Sequence, residues 1–277
     1  FWHCINAFNG GYIQQAFVAA WKAACKVESA VVEVPPEFRF LVNPVTFLGP
    51  CKPSIIFQVD GTIIAPVNPR VWGSGLLQWI QFVRVNGVTI QGNGLIDGRG
   101  SVWWGLLSDY QLSRKKPKIM PNIKPTALRF YGSFNVTVQD ITIQNSPQCH
   151  LKFDSCASVH VTNITISSPG NSPNTDGIHL QNSKDVEIQH STIACGDDCV
   201  SIQTGCCAIR VHHINCGPSH GISIGSLGKD KTEVSVSNVT VHDVVIQDAL
   251  NGVRIKTWQG GSGFVRDVSF SNIEVWN

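Results

Sequence analysis

The sequence predicts an all-β fold, a parallel β-helix in which short strands stack coil upon coil. Two series of segments centred on Val, Ile or Leu recur along the chain with a similar period. Within the segments apolar and polar residues alternate, which is typical of strands. A repeat this short cannot bury its apolar face alone, so it must stack on its neighbours. A TIM barrel or Rossmann fold would need amphipathic helices between the strands, and the sequence has none after residue 26.

The first series consists of segments such as "GVTI" at 87 and "NVTV" at 135. Its central residues are Val88, Val136, Val159, Val186, Ile209, Val239 and Val268. The first step is 48 residues long, which we interpret as two periods, and the later steps are 23 to 30 residues long. Because each coil returns the chain to the same place, we expect these residues to pair in parallel register.

The second series lies between members of the first and includes "GIHL" at 177 and "CVSI" at 199. Its central residues are Leu128, Leu151, Ile178, Val200, Ile222 and Val253, which follow one another at 22 to 31 residues. Two series with a shared period support a solenoid more strongly than either series alone.

Two segments lie outside the repeat. The stretch "YIQQAFVAAWKAAC", residues 12–25, places apolar side chains at i, i+4 spacing and predicts an amphipathic helix. A solenoid exposes an apolar end, so we expect residues 1–26 to cap the first coil. Residues 105–126 interrupt the repeat and predict a loop. No linker divides the chain, so residues 1–277 are expected to form one domain.

Composition narrows the class of protein. Hydrophobic residues make up 43% of the chain, charged residues 14%, and the net charge is +2, which is typical of a globular protein. Apolar runs fall short of the ~18 residues that span a bilayer, and there is no long basic run for nucleic acid. Ten cysteines favour disulfide bonds. Acceptor sequons begin at Asn135, Asn163 and Asn238. We therefore expect a secreted, extracellular, monomeric glycoprotein.

Aligned coil by coil, the second series places titratable residues in one column. The segments "DGIHL" from Asp176, "DCVSI" from Asp198 and "HGISI" from His220 follow one another at 22 residues. Parallel strands lie ~4.8 Å apart, so these three side chains should stack, with Asp197 beside the middle one. Crowded carboxylates push their pKa values apart, and such groups are enriched at catalytic sites.

The next coil, "NGVRIK" from 251, adds Arg254 and Lys256 to the same outer face. Ser201 and Ser223 are expected to face outward there, whereas Ile255 should point into the apolar interior. Small residues just after the column should leave an open trough; they are Gly177, Cys199, Gly221 and Gly252.

Paired carboxylates suit glycoside hydrolysis, in which one acts as an acid and the other activates water or attacks the sugar. No Gly-rich phosphate loop follows a strand of the repeat. Arg254 and Lys256 can clamp a carboxylate, so we predict an acidic polysaccharide as the substrate. The cysteine spacings form no convincing zinc site, and no metal or other cofactor is expected.

Four ordered segments, "SPNTDGIHL", "GDDCVSIQTG", "HGISIGSLG" and "VRIKTWQGG", resemble the signature segments of plant-type polygalacturonases, glycoside hydrolase family 28. The resemblance covers nearly the whole chain. It implies a right-handed parallel β-helix that hydrolyses α-1,4 links of polygalacturonate with inversion and without a metal. Asp197 would then be the general acid, Asp176 and Asp198 would activate water, and His220 would support the acid. The implied substrate-binding residues are Asn174, Arg254 and Lys256.

The stacked register alone does not predict inversion, because carboxylates one coil apart would lie closer than the ~6.5–9.5 Å typical of inverting enzymes. Two features also depart from the family pattern. Ser219 stands where the family has the first Gly of Gly-His-Gly, and we expect the sequence to stop before the family's last coils. These departures leave open a catalytically impaired, pectin-binding cell-wall protein, and the solenoid leaves open a calcium-dependent pectate lyase.

The resemblance also bears on cysteine pairing. Relatives bond the pair that corresponds to Cys199 and Cys216, and Cys25 with Cys51 is a second candidate pair. Ten cysteines allow many connectivities, so the remaining pairings stay open.

Overall fold

The protein is a right-handed parallel β-helix built from two sheets, a 15-stranded sheet, called here the long sheet, and an eight-stranded sheet. This computed structural model describes residues 2–4, 13–68, 71–73, 78–104 and 124–277. Successive coils pair in parallel in both sheets. The predicted fold class is confirmed.

The eight-stranded sheet carries the second series of the sequence repeat. Its strands are β4 (Val45–Leu48), β7 (Gln78–Val83), β10 (Thr126–Tyr131), β13 (Leu151–Asp154), β16 (Ile178–Gln181), β18 (Val200–Ile202), β20 (Ile222–Leu227) and β22 (Val253–Thr257). Leu128 pairs with Leu151, and the same column continues coil by coil to Val253, as predicted.

The long sheet carries the first series and has two limbs. The first limb contains β1 (Trp2–Cys4), β2 (Val31–Val34), β5 (Ile55–Val59), β8 (Asn86–Gln91), β11 (Phe134–Gln139) and β14 (Ala157–Thr162). The second limb contains β3 (Arg39–Leu41), β6 (Thr62–Ile64), β9 (Leu95–Asp97), β12 (Thr142–Gln144) and β15 (Thr165–Ser167). Four longer strands run through both limbs: β17 (Lys184–Ala194), β19 (Cys207–Cys216), β21 (Glu233–Gln247) and β23 (Ser262–Trp276).

The interpretation of the 48-residue step as two periods is wrong. Val88 pairs directly with Val136, and Ile80 pairs directly with Leu128, so the step is a single coil that carries an insertion. The predicted loop over residues 105–126 falls in this insertion. Residues 105–123 lie outside the described residues, whereas Thr126 already begins β10.

An aromatic column fills the interior and meets the N-terminal helix. Phe82, Phe130 and Phe153 stack in successive coils with ring centroids 5.1 and 5.2 Å apart. Helix α1 (Ile13–Ala24) buries Phe17 and Trp21 on this end, and the Trp21 ring lies 5.2 Å from that of Phe82. Burying each such ring stabilises the fold by about 1.5–3 kcal/mol. The helix therefore covers the first coils, as a cap should.

The opposite coil is less covered. Ile255 was expected in the buried interior, but it is 48% exposed, because β22 is the outermost strand of its sheet. Trp258 and Trp276 are also exposed in this part of the chain.

From β11 onward, the chain passes from the first limb of the long sheet to the second at one residue per coil. These residues adopt positive φ, between 48° and 63°, which Asn, Asp and His tolerate better than other side chains; they are Asp140, Asn163, His190, His213, Asp243 and Asn272. Around all of these residues except Asn272, two consecutive outward residues are flanked by buried ones. Each coil thus presents two neighbouring side chains to solvent at this bend, called here the limb bend.

Candidate active site

The predicted column lies at the starts of the strands of the eight-stranded sheet. Gly177 N donates to the backbone oxygen of Asp198, and Cys199 N donates to that of Gly221, at 2.9 and 2.8 Å. Asp176, Asp198 and His220 therefore occupy equivalent positions in three coils, two residues before β16, β18 and β20. Parallel register thus brings groups from distant parts of the sequence into one cleft.

Asp198 is the most enclosed of the three carboxylates, with its side chain 2% exposed. Ser223 Oγ and Arg254 donate to its Oδ1 at 2.7 and 2.9 Å, and Lys256 Nζ donates to its Oδ2 at 2.7 Å. Buried charges need partners of this kind, because an unpaired buried carboxylate is costly. Arg254 and Lys256, which were predicted to bind a substrate carboxylate, are thus already paired with Asp198. Each keeps further donors, since a guanidinium has five N–H groups and an ammonium three.

Asp197 points the other way and is shared between two side chains. His220 Nδ1 lies 3.1 Å from its Oδ1, and Asn174 Nδ2 donates to its Oδ2 at 3.3 Å. Burial raises the pKa of the Asp197 carboxyl, and the charges of Asp176 and Asp198 raise it further. The environment therefore favours the protonated form of this group, which is the form a general acid needs.

Asp176 has two partners that the sequence analysis did not assign. His179 Nδ1 lies 2.9 Å and Cys149 Sγ 3.6 Å from its Oδ2. Burial opposes ionisation of Asp176, but the hydrogen bonds from both partners, together with the charges of His179 and Lys256, outweigh it and lower its pKa. The i, i+3 spacing of Asp176 and His179 was visible in the sequence, whereas Cys149 joins the site only through the stacking of coils.

The model of glycosyl hydrolases family 28 matches residues 25–277. The chain belongs to this family. A polygalacturonase of Cryptomeria japonica is 43% identical over 95% of this chain and 51% of its own length. Polygalacturonase QRT2 of Arabidopsis thaliana is 42% identical over 99% of this chain and 62% of its own length. The chain thus spans little more than half of the length of these curated relatives.

Solved structures agree with this assignment. A polygalacturonase from Erwinia carotovora ssp. carotovora superposes with a TM-score of 0.82 at 27% identity, covering 98% of this chain and 76% of that one. The fold is shared with the endo-xylogalacturonan hydrolase from Aspergillus tubingensis, with a TM-score of 0.87 at 24% identity, over 100% of this chain and 74% of that one. The family resemblance stated from the four signature segments is confirmed.

The cleft of this family 28 chain is not floored by the small residues that the sequence suggested. A Cβ on Gly177 would lie 2.4 Å from Cγ2 of Ile193, and Cys199 is fully buried. Ser201 and Ser223 keep the outer face expected of them but are covered by neighbouring side chains, since Gln203 contacts Ser201 Oγ and Arg254 contacts Ser223 Oγ. The strict alternation of a strand fails here, because the bend before each strand turns two consecutive residues such as Cys199 and its neighbour inward.

Two disulfide bonds are present among the described residues. They join Cys199 to Cys216 and Cys25 to Cys51, the two pairs named from the sequence. The first lies directly beneath the cleft, since Cys199 follows Asp198 in the chain. It fixes the start of β18 to the end of β19.

Ser219, which departs from the family's glycine, does not enter the cleft. It is 6% exposed, and its Oγ accepts a hydrogen bond from Gly221 N at 3.0 Å. The hydroxyl also lies 3.2 Å from Cys216 Sγ. The extra side chain therefore packs into the body of the protein and leaves the surface around His220 free.

Two groups in this region bring three possible metal ligands within 4.8 Å of one another; they are Cys149, Asp176 and His179, and Asp197, Asp198 and His220. In both groups the carboxylates already receive hydrogen bonds from protein donors. The contacts thus form two hydrogen-bonded groups, one around Asp176 and one around Asp197 and Asp198.

Proposed function

We propose that this chain hydrolyses α-1,4-D-galacturonosidic links in polygalacturonate by an inverting acid/base mechanism. One observation carries the proposal: neighbouring carboxyls of the cleft have pKa values displaced in opposite directions, with Asp197 raised and Asp176 lowered. Such a divergence separates an acid from a base. The relatives from C. japonica and A. thaliana, both named polygalacturonases, support the substrate class.

In the proposed reaction the protonated Asp197 gives its proton to the glycosidic oxygen as the bond to the anomeric carbon breaks. A water molecule attacks that carbon from the opposite face and passes a proton to Asp176. Asp198 assists by positioning this water and the two cations. Its oxygens accept three hydrogen bonds, from Ser223, Arg254 and Lys256. His220, at 3.1 Å from Asp197, supports the acid and helps to return a proton to it.

Substrate binding is assigned to Arg254, Lys256 and Asn174. The side chains of Arg254 and Lys256 are 24% and 28% exposed, so donors not used by Asp198 can reach a galacturonate carboxylate. This pairing costs little extra desolvation, because the cations are already partly withdrawn from water. The proposed partner is therefore an acidic, pectin-type polysaccharide bound along the cleft.

We further propose that the protein acts outside the cell, on the wall, as a monomer. Two disulfide bonds support an oxidising compartment. The sequon residues Asn135, Asn163 and Asn238 are exposed, which is compatible with glycosylation. Among the described residues, no helix has the length and apolar character needed to cross a bilayer.

The experiment is product analysis on polygalacturonate. We expect the wild type to release reducing ends whose first-formed anomer is β, and Asp197→Asn to lose activity by about 10²–10⁴-fold. Asp185→Asn, which removes an exposed carboxylate on β17, is the matched control and should keep full activity. Full activity in Asp197→Asn would overturn the acid assignment. Unsaturated products lost on chelation would indicate a lyase, and binding without release would indicate an impaired relative.

A further inference from the structure

A second cluster of titratable side chains lies on the outer face of the long sheet. Strands β19 and β21 each present two consecutive side chains at the limb bend: His212 and His213 on one coil, His242 and Asp243 on the next. His213 and Asp243 are the bend residues themselves, with φ of 53° and 55°. We call these four residues the bend quartet. None of them belongs to the cleft of the eight-stranded sheet.

The quartet contains two close pairs of possible ligand atoms, one pair on each coil. His212 Nδ1 and His213 Nδ1 are 2.9 Å apart, and His242 Nδ1 and Asp243 Oδ2 are 2.6 Å apart. The rings of His212 and His242 lie parallel, with centroids 4.9 Å apart. The two pairs therefore lie on adjacent coils about one coil spacing apart, and no three of their ligand atoms all lie within 4.8 Å of one another.

We propose that the bend quartet binds one divalent transition-metal cation, such as Zn²⁺ or Cu²⁺, which bridges two adjacent coils. Zinc takes imidazole nitrogen and carboxylate oxygen at about 2.0–2.2 Å, usually with four ligands. The two pairs are further apart than the ligands of one ion, so binding requires the side chains to turn toward each other between the coils. His213 is exposed, and His242 and Asp243 are partly exposed, so their side chains have room to turn.

Neighbouring groups already orient two of the ligands. His212 Nε2 lies 3.5 Å from Glu187 Oε1, so the Nε2–H can point at a carboxylate and leave the Nδ1 lone pair turned toward His213. Asn272 Nδ2 donates to Asp243 Oδ1, which leaves Oδ2 turned toward His242. Metal-bound histidines and carboxylates are commonly held by partners of this kind.

The quartet is also open to solvent. A surface pocket of about 420 Å³ is lined by His190, His213, Ile214, Asn215, Asp243 and Val245. A hydrated cation can therefore reach His213 and Asp243 directly. Three imidazoles and one carboxylate suit Zn²⁺, Cu²⁺ or Ni²⁺, whereas Ca²⁺ and Mg²⁺ prefer sets of oxygen ligands.

The test is equilibrium dialysis of EDTA-stripped protein against ZnCl₂ at neutral pH. We expect one ion per chain for the wild type and an affinity at least about tenfold weaker in His213→Gln and in His242→Gln. The matched control is His160→Gln, which removes an imidazole of the same face that contacts Glu187 but lies outside the quartet. It should bind zinc within about twofold of the wild type.

Two further measurements separate binding at the quartet from other causes. Co²⁺ loaded in place of zinc should give a spectrum without a thiolate charge-transfer band, which excludes the free cysteines as ligands. Zinc should raise the unfolding temperature of the wild type and of His160→Gln but not of His213→Gln, while the three proteins unfold alike in EDTA. Absence of saturable binding, or unchanged binding in both His213→Gln and His242→Gln, would overturn the proposal.

Discussion

The cleft and the bend quartet are both made by the same device, the stacking of coils, yet they differ in charge. In the cleft, Asp198 is buried and locked to Arg254 and Lys256. In the quartet, three imidazoles lie beside a single carboxylate at the surface. Register decides which groups meet, but burial and charge decide what they can do. Crowded buried carboxylates acquire proton chemistry, whereas partly exposed imidazoles on adjacent coils can turn toward a common ligand.

The largest expected effect is on the free energy of unfolding, and it distinguishes the cleft from the bend quartet. Arg254→Ala removes one of the two cations that compensate the buried Asp198 carboxylate, and should destabilise the protein by about 3–4 kcal/mol. His242→Gln, in the exposed quartet, should cost under about 0.5 kcal/mol in the absence of metal. Urea unfolding in EDTA measures both values. Equal losses of stability would show that the ion pairs of Asp198 contribute no more to stability than the surface contacts of His242 do.

A second prediction compares a buried imidazole with the exposed ones. Burial lowers the pKa of His150 to about 4, and its ring nitrogens contact the Asp176 backbone oxygen and Ser168 Oγ at 2.8 and 2.6 Å. In the unfolded chain the His150 imidazole becomes protonated near pH 6.5, whereas in the folded protein it stays neutral down to about pH 4. The free energy of unfolding should therefore fall by about 3 kcal/mol between pH 6.5 and pH 4.

The measurement is the free energy of unfolding as a function of pH. In His150→Gln the fall over this pH range should be smaller, although the variant should be less stable at neutral pH, where a well-fitted neutral imidazole is lost. His190→Gln, which removes an exposed imidazole, is the control and should keep the wild-type pH dependence. A His150→Gln curve parallel to that of the wild type would contradict the assignment.

A third and smaller effect concerns the pH dependence of hydrolysis. The reaction needs Asp176 ionised and Asp197 protonated, so activity should fall at low pH as Asp176 takes up a proton and at high pH as Asp197 loses one. His179→Ala removes a donor that lowers the pKa of Asp176, and the acid limb of kcat/KM should move to higher pH by about one unit.

The rescue variant is His179→Asn, whose amide can donate in place of Nδ1 and should restore part of the shift. The alkaline limb, which belongs to Asp197, should stay where it is in both variants. A loss of activity at every pH without displacement of the acid limb would mean that His179 only supports the local structure.

The smallest expected effect is on hydrolysis by a variant of the bend quartet, which should be nearly unchanged. His213→Gln should hydrolyse polygalacturonate within about twofold of the wild type, because it lies on the long sheet and touches none of the cleft residues. The assay is the release of reducing ends in EDTA. A large loss would indicate that the two regions are coupled through the coil between them.

Much of this architecture could be predicted from the sequence, because β-branched residues at regular spacing fix the register of a solenoid. The columns through Val200 and Val186 follow the predicted pairs. The insertion before β10 could not be distinguished from an extra coil, because a step of 48 residues fits either two coils or one coil with a long insertion. Strand alternation also failed at bends, so Cys199 was expected at the surface and is buried.

The bend quartet was missed for the same reason. In "VHHIN", from Val211, simple alternation places the two histidines on opposite faces of the strand. The positive φ of His213 lets both project outward, and this conformation is not visible in the sequence. Likewise, no local pattern connects Cys149 with Asp176, because 27 residues separate them and only the completed coil brings them within contact.

At the limb bend, the surface of the solenoid carries two columns of side chains, and each coil contributes one row of two residues. Neighbours along a row are adjacent in sequence, whereas neighbours along a column belong to successive coils, as His212 and His242 do. Adding or removing one whole coil would therefore give new neighbours to the rows on either side of the change and leave the buried columns intact. New combinations of surface chemistry are thus accessible by duplication of a coil, without redesign of the interior.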